Sequence, residues 1–181
     1  MTSRKPASLS VTTFLVLTLC ALGAAAFYRL PALADRPMHT DEAILGYKFA
    51  QFYTTGHFQY DPKDFHGPGL HYVTRAWSRV ALWDGPETWT DDQLRTVAAV
   101  CGLLLILTTL LFSDALRRNG VIYAMLLMAV SPMMVYYSRY YIMEMLLVLL
   151  VALTLASFWR YSQGGSRWWL VLAGAAIGLQ H

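Results

Sequence analysis

The sequence predicts an all-α polytopic membrane protein with about five transmembrane helices and a large helical loop after the first of them. Only 14% of its 181 residues are charged, whereas about 25% are charged in a typical soluble domain. The charges are also unevenly placed. Long stretches of the sequence contain no charged residue, and nine of the eleven acidic residues lie in the segment 29–93.

Hydrophobic runs of membrane-spanning length place the helices. A transmembrane helix needs about 17–25 mostly apolar residues, and three charge-free runs in the first 138 residues reach that length. A fourth run reaches it only with Glu144 inside the span or at its edge, and a fifth is incomplete where the sequence ends. We therefore expect spans at 9–28, 94–113, 119–138, 140–159 and 167–181, the last one truncated.

The first hydrophobic run allows two interpretations. Arg4 and Lys5, followed by an apolar stretch that ends in GAAAF, are compatible with a cleaved signal peptide. The run is long for a signal peptide, and further spans follow it. Both features favour a helix that is retained in the membrane.

Composition and cysteine usage exclude two classes of function. The sequence has no basic stripe of the kind that nucleic-acid-binding proteins carry, so we expect no nucleic-acid partner. Cys20 and Cys101 both fall inside predicted spans. They therefore indicate neither a disulfide framework nor a zinc site.

The short polar links predict the orientation in the membrane. The N-terminus and the links 113–120 and 160–169 each carry two basic residues, whereas the link between the third and fourth spans has only Arg139. Basic residues are in excess in cytoplasmic loops. We therefore expect residues 1–8 in the cytoplasm and the loop 29–93 outside a cytoplasmic (plasma) membrane.

The long outer loop predicts two amphipathic helices. Apolar residues recur on one helical face over 41–55, where Gly56 suits a C-terminal stop, and again over 68–83, where Pro68 suits a helix start. Thr90 and Gln93 form a capping box that opens the second span. Two such helices beside membrane spans are expected to lie along the outer surface.

The stretch HTDE opens the first loop helix and has two interpretations. Thr40 is a suitable N-cap, and Asp41 and Glu42 in the first turn favour the positive end of the helix dipole. Alternatively, a carboxylate at the membrane edge acts as a general base. His39, Asp41 and Glu42 are also a candidate ligand set for a divalent metal ion, although their spacing matches no known metal signature.

Two further clusters fall on the predicted outer side. In YDPKDFHGPG, Asp64 and His66 precede a Pro-started helix, either as ordinary loop residues or as contacts for a phosphate at the helix N-terminus. In SRYYIME, Arg139 either snorkels with Glu144 as a structural partner or holds a lipid phosphate. All three clusters are predicted to lie on the same, outer side of the membrane, and this convergence favours a catalytic site.

These motifs resemble a known family. The pattern H-x-D-E, then Y-D-P, then H-G-P is matched by His39, Asp41 and Glu42, then residues 60–62, then residues 66–68. With SRYYIME as a second outer loop, the chain resembles the GT-C membrane glycosyltransferases. More specifically, it is similar to the protein O-mannosyltransferase and aminoarabinose-transferase superfamily, in its prokaryotic flippase-associated glycosyltransferase-like branch. The resemblance covers nearly the whole chain.

The resemblance implies a reaction. The donor would be a polyprenyl-phosphate-linked sugar, and an acceptor hydroxyl on a protein, lipid or glycan would attack it with inversion outside the cytoplasmic membrane. Members of the superfamily are usually longer and have more spans, so the chain would correspond to an N-terminal part that belongs to a larger enzyme or acts with a partner.

The same resemblance implies roles for individual residues. Asp41 would be the base, while Glu42 and His39 would orient it or hold a metal ion, which some relatives use. Arg139 and His66 would bind the donor phosphate. The supporting residues would be Glu144, Asp64 and Tyr60.

Two other classes of function stay open from the residues alone. One is a component of a lipid-linked sugar flippase, although transporters usually place polar or broken-helix sites near the bilayer midplane. The charge-free runs of the first two spans, 6–28 and 96–113, contain no Asp, Glu, Lys or Arg, which disfavours transport. The other is a non-catalytic or truncated membrane fragment.

Overall fold

The computed structural model describes residues 9–61, 63 and 67–180, and within them the chain is helical with no strand. The expected all-α membrane fold is confirmed. The two short 3₁₀ helices are Pro86–Thr88 and Thr109–Phe112. The α-helices are α1 (Val11–Arg29), α2 (Thr40–Thr55), α3 (Gly69–Val80), α4 (Asp91–Thr108), α5 (Ser113–Val130), α6 (Pro132–Tyr137), α7 (Met143–Ser162) and α8 (Trp168–Gly178).

Three helical stretches are long and apolar enough to cross a membrane. They are Val11–Arg29, the 40-residue stretch Asp91–Val130, and Met143–Ser162. The 40-residue stretch contains both α4 and α5. Near the start of α5 the helix is kinked at Arg117, whose backbone is non-helical (φ 57°, ψ 168°). Helix α8 is apolar but shorter. These helices make the chain an integral membrane protein.

The helices pack into a bundle whose two ends are distinct. Helices α1 and α5 run in the same direction, since Leu9 contacts Arg118 and Asn119 at one end while Arg29 contacts Met128 at the other. Helix α7 packs against α4 and α8. We call the end that carries α2 and α3 the loop end, and the end that carries Arg118 the opposite end.

Helix α1 is an integral part of this bundle. Ala21 and Ala25 are completely buried, and they pack with Val121, Met125 and other residues of α4 and α5. Small residues on α1 allow the close approach of α5. This packing favours the retained helix over the signal-peptide interpretation of the first hydrophobic run.

The two loop helices cover the loop end of the bundle. Helix α2 buries Leu45, Phe49 and Phe52, and the Phe49 ring stacks on Trp89 with 4.7 Å between ring centroids. Helix α3 places the Thr74 hydroxyl 2.8 Å from the Tyr141 hydroxyl, where both groups are buried. The loop helices are thereby joined to the membrane helices by side chains.

Several helix boundaries differ from the expected ones for local reasons. Helix α2 begins at Thr40, because His39 rather than Thr40 occupies the N-cap position. Helix α3 is shorter than the expected 68–83 and ends at Val80. The expected span 119–138 is interrupted at Pro132, which lacks a backbone N–H, and α7 begins at Met143 rather than residue 140.

Two sequence-based details of the loop have structural counterparts. Gly56 ends α2 in the left-handed conformation with φ 74°, which favours glycine. At the start of α4 the Thr90 backbone N–H donates to Gln93 Oε1 at 3.1 Å. That contact is the reciprocal half of the expected capping box.

Candidate active site

A buried ion pair lies at the centre of the loop end. Glu42 and Arg95 are both completely buried. Arg95 Nε donates to Glu42 Oε1 at 2.9 Å, and Arg95 Nη2 donates to Glu42 Oε2 at 3.0 Å. This two-point geometry is the strongest form of a guanidinium–carboxylate contact. It ties α2 to α4.

The Glu42 carboxylate accepts further hydrogen bonds from the backbone. The His39 N–H donates to Oε2 at 3.0 Å, and the Tyr141 N–H donates to Oε1 at 2.8 Å. Burial raises the pKa of Glu42, but the hydrogen bonds from Arg95, His39 and Tyr141 outweigh it, so the pKa lies below its ordinary value. Glu42 is therefore a charged structural centre that joins α2, α4 and the link before α7.

Arg95 also fixes the connection between α1 and α2. Its Nη1 donates to the carbonyls of Leu33 at 2.6 Å and Arg36 at 3.0 Å. Its Nη2 donates to the Pro37 carbonyl at 3.2 Å. A single guanidinium thus sets the path of the segment that leads into the first turn of α2, where Asp41 lies.

Arg36 contacts both the buried Glu42 carboxylate and the link between α6 and α7. Its Cζ lies 3.3 Å from the centroid of the Tyr140 ring, which is a close cation–π contact. Its Nη2 donates to the Arg139 carbonyl and lies 3.4 Å from Glu42 Oε1. The link between α6 and α7 is therefore held against the start of α2.

Asp41 faces away from the buried pair, on a different side of α2 from Glu42. Its side chain is 68% exposed, and it lines a cleft of about 420 Å³ between the start of α2 and the start of α7. The cleft also contains Glu144, in the first turn of α7. The structure thus brings together Asp41 and Glu144, which are about a hundred positions apart in sequence. The remaining lining residues are Ile44, Leu45, Lys48, Asp61, Lys63, Ile142 and Met143.

His39 and Tyr60 lie outside the lining of this cleft, at different distances from Asp41. The His39 Nδ1 accepts a hydrogen bond from the Asp41 N–H at 3.3 Å and lies 3.5 Å from Asp41 Oδ2. Tyr60 is 67% exposed and lines a neighbouring cleft that shares Lys48 and Asp61 with the first. His39 is therefore beside Asp41, whereas Tyr60 is one cleft away.

The three residues expected to hold a metal ion do not converge. Asp41 points into the cleft, while both oxygens of Glu42 are occupied by Arg95 and backbone N–H groups. Among residues 9–61, 63 and 67–180, no group of three or more His, Cys, Asp and Glu side chains is placed to hold a metal ion. As arranged, His39, Asp41 and Glu42 do not form a common ligand set for a divalent cation.

Arg139 caps the C-terminus of α1. Its Nη1 donates to the carbonyls of Tyr28 and Arg29, each at 3.2 Å, and of Pro31 at 2.8 Å. Its Nη2 donates to the Ala32 carbonyl at 3.0 Å. The last carbonyls of a helix lack intrahelical donors and carry partial negative charge, which a cation stabilises. The guanidinium that the sequence suggested for a phosphate is thus engaged with backbone oxygens.

Arg29 caps α5 in the same way and was not singled out from the sequence. It is 1% exposed, and its Nη2 donates to the Met128 carbonyl at 2.8 Å while its Nη1 donates to the Ala129 carbonyl at 2.8 Å. Met128 has no helical donor, because the residue four positions later is Pro132. The buried arginine replaces that missing N–H.

Sequence signals for the buried pair do exist. Glu42 is three residues before Leu45 and seven before Phe49, so it continues the buried stripe of α2 by one turn. Asp41 instead shares a face with Ile44 and Lys48. Arg95 lies one turn inside a long apolar helix, a position at which a charged side chain normally has a partner.

His66 and Asp64 lie outside the described residues, as do Pro62 and residues 1–8. The expected roles of His66 in phosphate binding and of Asp64 in support remain predictions. The described neighbours Gly67 and Glu144 both line a second cleft, of about 270 Å³, between α3, α7 and the end of α8.

A comparison with known proteins gives the family. Residues 66–180 match the model of the dolichyl-phosphate-mannose-protein mannosyltransferases. The chain belongs to this mannosyltransferase family. Membership agrees with the all-helical membrane fold and indicates a glycosyltransferase of the GT-C type. The match begins after Asp41 and Glu42, so their roles rest on geometry. No curated protein and no solved structure matches the chain significantly.

Proposed function

We propose that this mannosyltransferase-family chain forms the site at which a sugar passes from a polyprenyl-phosphate donor to an acceptor hydroxyl, with inversion and with Asp41 as the base. The observation that carries the proposal is the contrast between two adjacent acids. Both carboxylate oxygens of Glu42 accept hydrogen bonds from the buried Arg95, whereas the Asp41 carboxylate lines a cleft at the end of the membrane helices.

Asp41 has the surroundings that a base requires. Its backbone is fixed by the first turn of α2, and the neighbouring Glu42–Arg95 pair anchors that turn to α4. The cleft is open enough to admit an acceptor. A carboxylate within hydrogen-bonding reach of the acceptor hydroxyl accepts its proton as the oxygen attacks the anomeric carbon. Glu42 is a positioning residue in this scheme.

Glu144 and His39 flank Asp41. Glu144 lies across the same cleft in the first turn of α7, where its carboxylate is placed to accept a hydrogen bond from the acceptor or the sugar. His39 Nδ1 lies 3.5 Å from Asp41 Oδ2, so the imidazole is next to the carboxylate of the base. Both assignments agree with the supporting roles that the sequence suggests.

An apolar groove supports a lipid-linked donor. It has a volume of about 500 Å³ and lies between α3, α4 and α7. A polyprenyl chain buries apolar surface in such a groove, and this burial stabilises the bound donor. The groove includes the side chains Val73, Trp77, Val97, Leu104, Leu146 and Leu149.

The distribution of basic residues supports an outward-facing loop end. The opposite end carries Arg117, Arg118, Arg160 and Arg167 in short links, and Arg160 is paired with Asp114 at 2.6 Å. Cytoplasmic links of membrane proteins are rich in Lys and Arg. The proposal therefore places the reaction on the outer face of the cytoplasmic membrane, with a protein, lipid or glycan as the acceptor.

Substitution of Asp41 tests the proposal. Asp41→Asn should reduce the transfer of sugar from dolichyl-phosphate mannose by at least about a hundredfold, because an amide does not accept the acceptor proton. Asp35→Asn, which changes an exposed acid outside the cleft, is the matched control. Equal transfer by the Asp41→Asn variant and the wild type would overturn the assignment of the base. A wild-type protein that moves the lipid-linked sugar across the membrane but transfers none of it would favour the flippase alternative.

A further inference from the structure

We propose that the C-terminal end of α3 inserts into the lipid leaflet at the loop end, with Val80 and Leu82 as the inserted side chains. We call these two side chains the apolar tip. The inference concerns a contact with the membrane and does not depend on the proposed reaction. The sequence alone predicts only that the two loop helices lie along the membrane surface.

The apolar tip is exposed to an extent that matches the lipid-facing side chains of the membrane helices. Val80, the last residue of α3, is 75% exposed, and Leu82 is 86% exposed. In the described part of the chain, Leu82 is the most exposed of the large apolar side chains. The next most exposed aliphatic side chains, Leu127 and Leu19, lie on the membrane-spanning helices α5 and α1. An aliphatic surface of this kind is favoured in lipid rather than in water.

Leu82 also has a backbone conformation that leucine rarely adopts. Its φ of 53° lies in the left-handed region, where glycine normally ends a helix. The Trp83 N–H donates to the Ser78 carbonyl at 2.9 Å, which is the hydrogen bond that closes such a helix end. Glycine would form this turn with less strain. The turn therefore does not require leucine, whose side chain supplies apolar surface for a contact outside the chain.

The apolar groove between α3, α4 and α7 sets the depth of this helix end. Val80 lines the groove together with Val100 and Leu104 of α4. Both α4 residues lie in the charge-free run 96–113 of a membrane-spanning stretch. The exposed surface of the apolar tip is therefore continuous with the lipid-facing surface of α4, and a helix end at that level meets the bilayer.

The residues around the apolar tip are typical of a membrane interface. The Trp83 and Trp89 rings lie 5.9 Å apart between centroids, and the Trp89 indole N–H donates to the Asp84 carbonyl at 2.9 Å. Tryptophan is enriched at the level of the lipid headgroups. Arg79 is exposed in the last turn of α3. Its long stem allows the guanidinium to reach a headgroup phosphate while the apolar tip lies deeper.

The corresponding end of α2 has the opposite character. This helix also ends in a left-handed residue, but that residue is Gly56, with φ 74°. The side chains around it, Thr54, Thr55 and His57, are exposed and polar. The contrast places the end of α3 in lipid and the end of α2 in water.

The accessibility of spin labels in the full chain, reconstituted in phosphatidylcholine vesicles, tests the insertion. Cys20→Ala and Cys101→Ala remove the two native thiols, and Leu82→Cys or Val80→Cys then provides the labelling site. Oxygen concentrates in the lipid, whereas a nickel chelate stays in the water. At both positions, the ratio of oxygen to nickel accessibility should be several-fold higher than at an aqueous position. Two positions are used because a label on the strained residue can itself alter the turn.

Two further labelling sites calibrate this ratio. Thr54→Cys, in the last turn of α2, is the matched aqueous control and should be more accessible to nickel than to oxygen. Leu19→Cys, on the exposed surface of α1, is the lipid control and should show the reverse order.

Insertion requires the lipid-like order at both tip positions. A ratio at either position equal to that of the Thr54→Cys control would overturn the proposal, because that side chain would lie in water. Low accessibility to both reagents would overturn it as well, since protein would then cover the tip, whether from a second copy of the chain or from another partner. Neither result would bear on sugar transfer.

Discussion

Glu42 and Arg95 form a completely buried, two-point ion pair, with Arg95 Nε at 2.9 Å from Oε1 and Nη2 at 3.0 Å from Oε2. The pair joins a loop helix to a membrane helix and directs the neighbouring Asp41 into the cleft. Removal of one partner leaves the other charge buried and unpaired, and such a charge is costly.

Substitution of Glu42 should therefore destabilise the protein strongly. We expect Glu42→Ala to lower the free energy of unfolding by about 3–5 kcal/mol, because Arg95 then lacks its counter-charge inside the bundle. Thermal unfolding in detergent measures the effect. Glu87→Gln, which changes an exposed acid in the same loop, is the control and should unfold like the wild type. Equal stability of the Glu42→Ala variant and the wild type would mean that the pair contributes nothing.

The same carboxylate predicts an acid dependence of stability. The folded-state pKa of Glu42 is lowered from the ordinary value of 4.5. A depressed pKa contributes stability above the ordinary value, and this contribution is lost as the pH falls through the folded-state pKa. Unfolding temperatures measured downward from neutral pH should show the stability gap between the wild type and Glu42→Gln shrinking below about pH 4.5. A gap that is constant with pH would contradict this.

Gly102 should tolerate no side chain. A methyl group there would collide with the Ser138 hydroxyl and would lie 3.3 Å from Arg29 Nε. We expect Gly102→Ala to lower the unfolding temperature, because the Arg29 contacts that cap α5 must shift. The matched control is Gly23→Ala in α1, where an added methyl group meets nothing within 4 Å. That control should be neutral or more stable, since alanine favours a helix. Equal effects of both substitutions would contradict the close approach.

Arg139 should behave as a helix cap rather than as a phosphate ligand. Arg139→Ala should destabilise the protein by about 1 kcal/mol, because the last carbonyls of α1 lose their donors. The affinity of the folded variant for dolichyl phosphate should stay at the wild-type value. Arg139→Lys should be intermediate in stability, since one ammonium group cannot reach four carbonyls at once. A loss of phosphate affinity with intact stability would restore the role suggested by the sequence.

Hydrophobic runs and helical periodicity predicted an all-helical membrane protein, because both are local properties of the sequence. The helix boundaries at Pro132 and His39 were not predicted from these local patterns. Pro132 leaves the Met128 carbonyl without its helical donor, and only the packing of α1 against α5 brings Arg29 to that carbonyl.

The division of labour between Asp41 and Glu42 depended on the fold. Two adjacent acids in the first turn of a helix are chemically alike in the sequence, but they point about 100° apart around the helix axis. The stripe of Leu45, Phe49 and Phe52 turns Glu42 inward, and only the position of α4 supplies Arg95 to meet it.

By itself, the sequence determined that this is a helical membrane protein and that its acids and histidines gather in one loop, because composition and hydrophobic period act over short distances. The tertiary structure alone decided which charges meet. Glu42 and Arg95 are 53 residues apart, and Arg139 and Pro31 are 108 apart. Their contacts depend on how the helices pack, since a buried charge is stable only where the fold brings a partner within hydrogen-bonding distance.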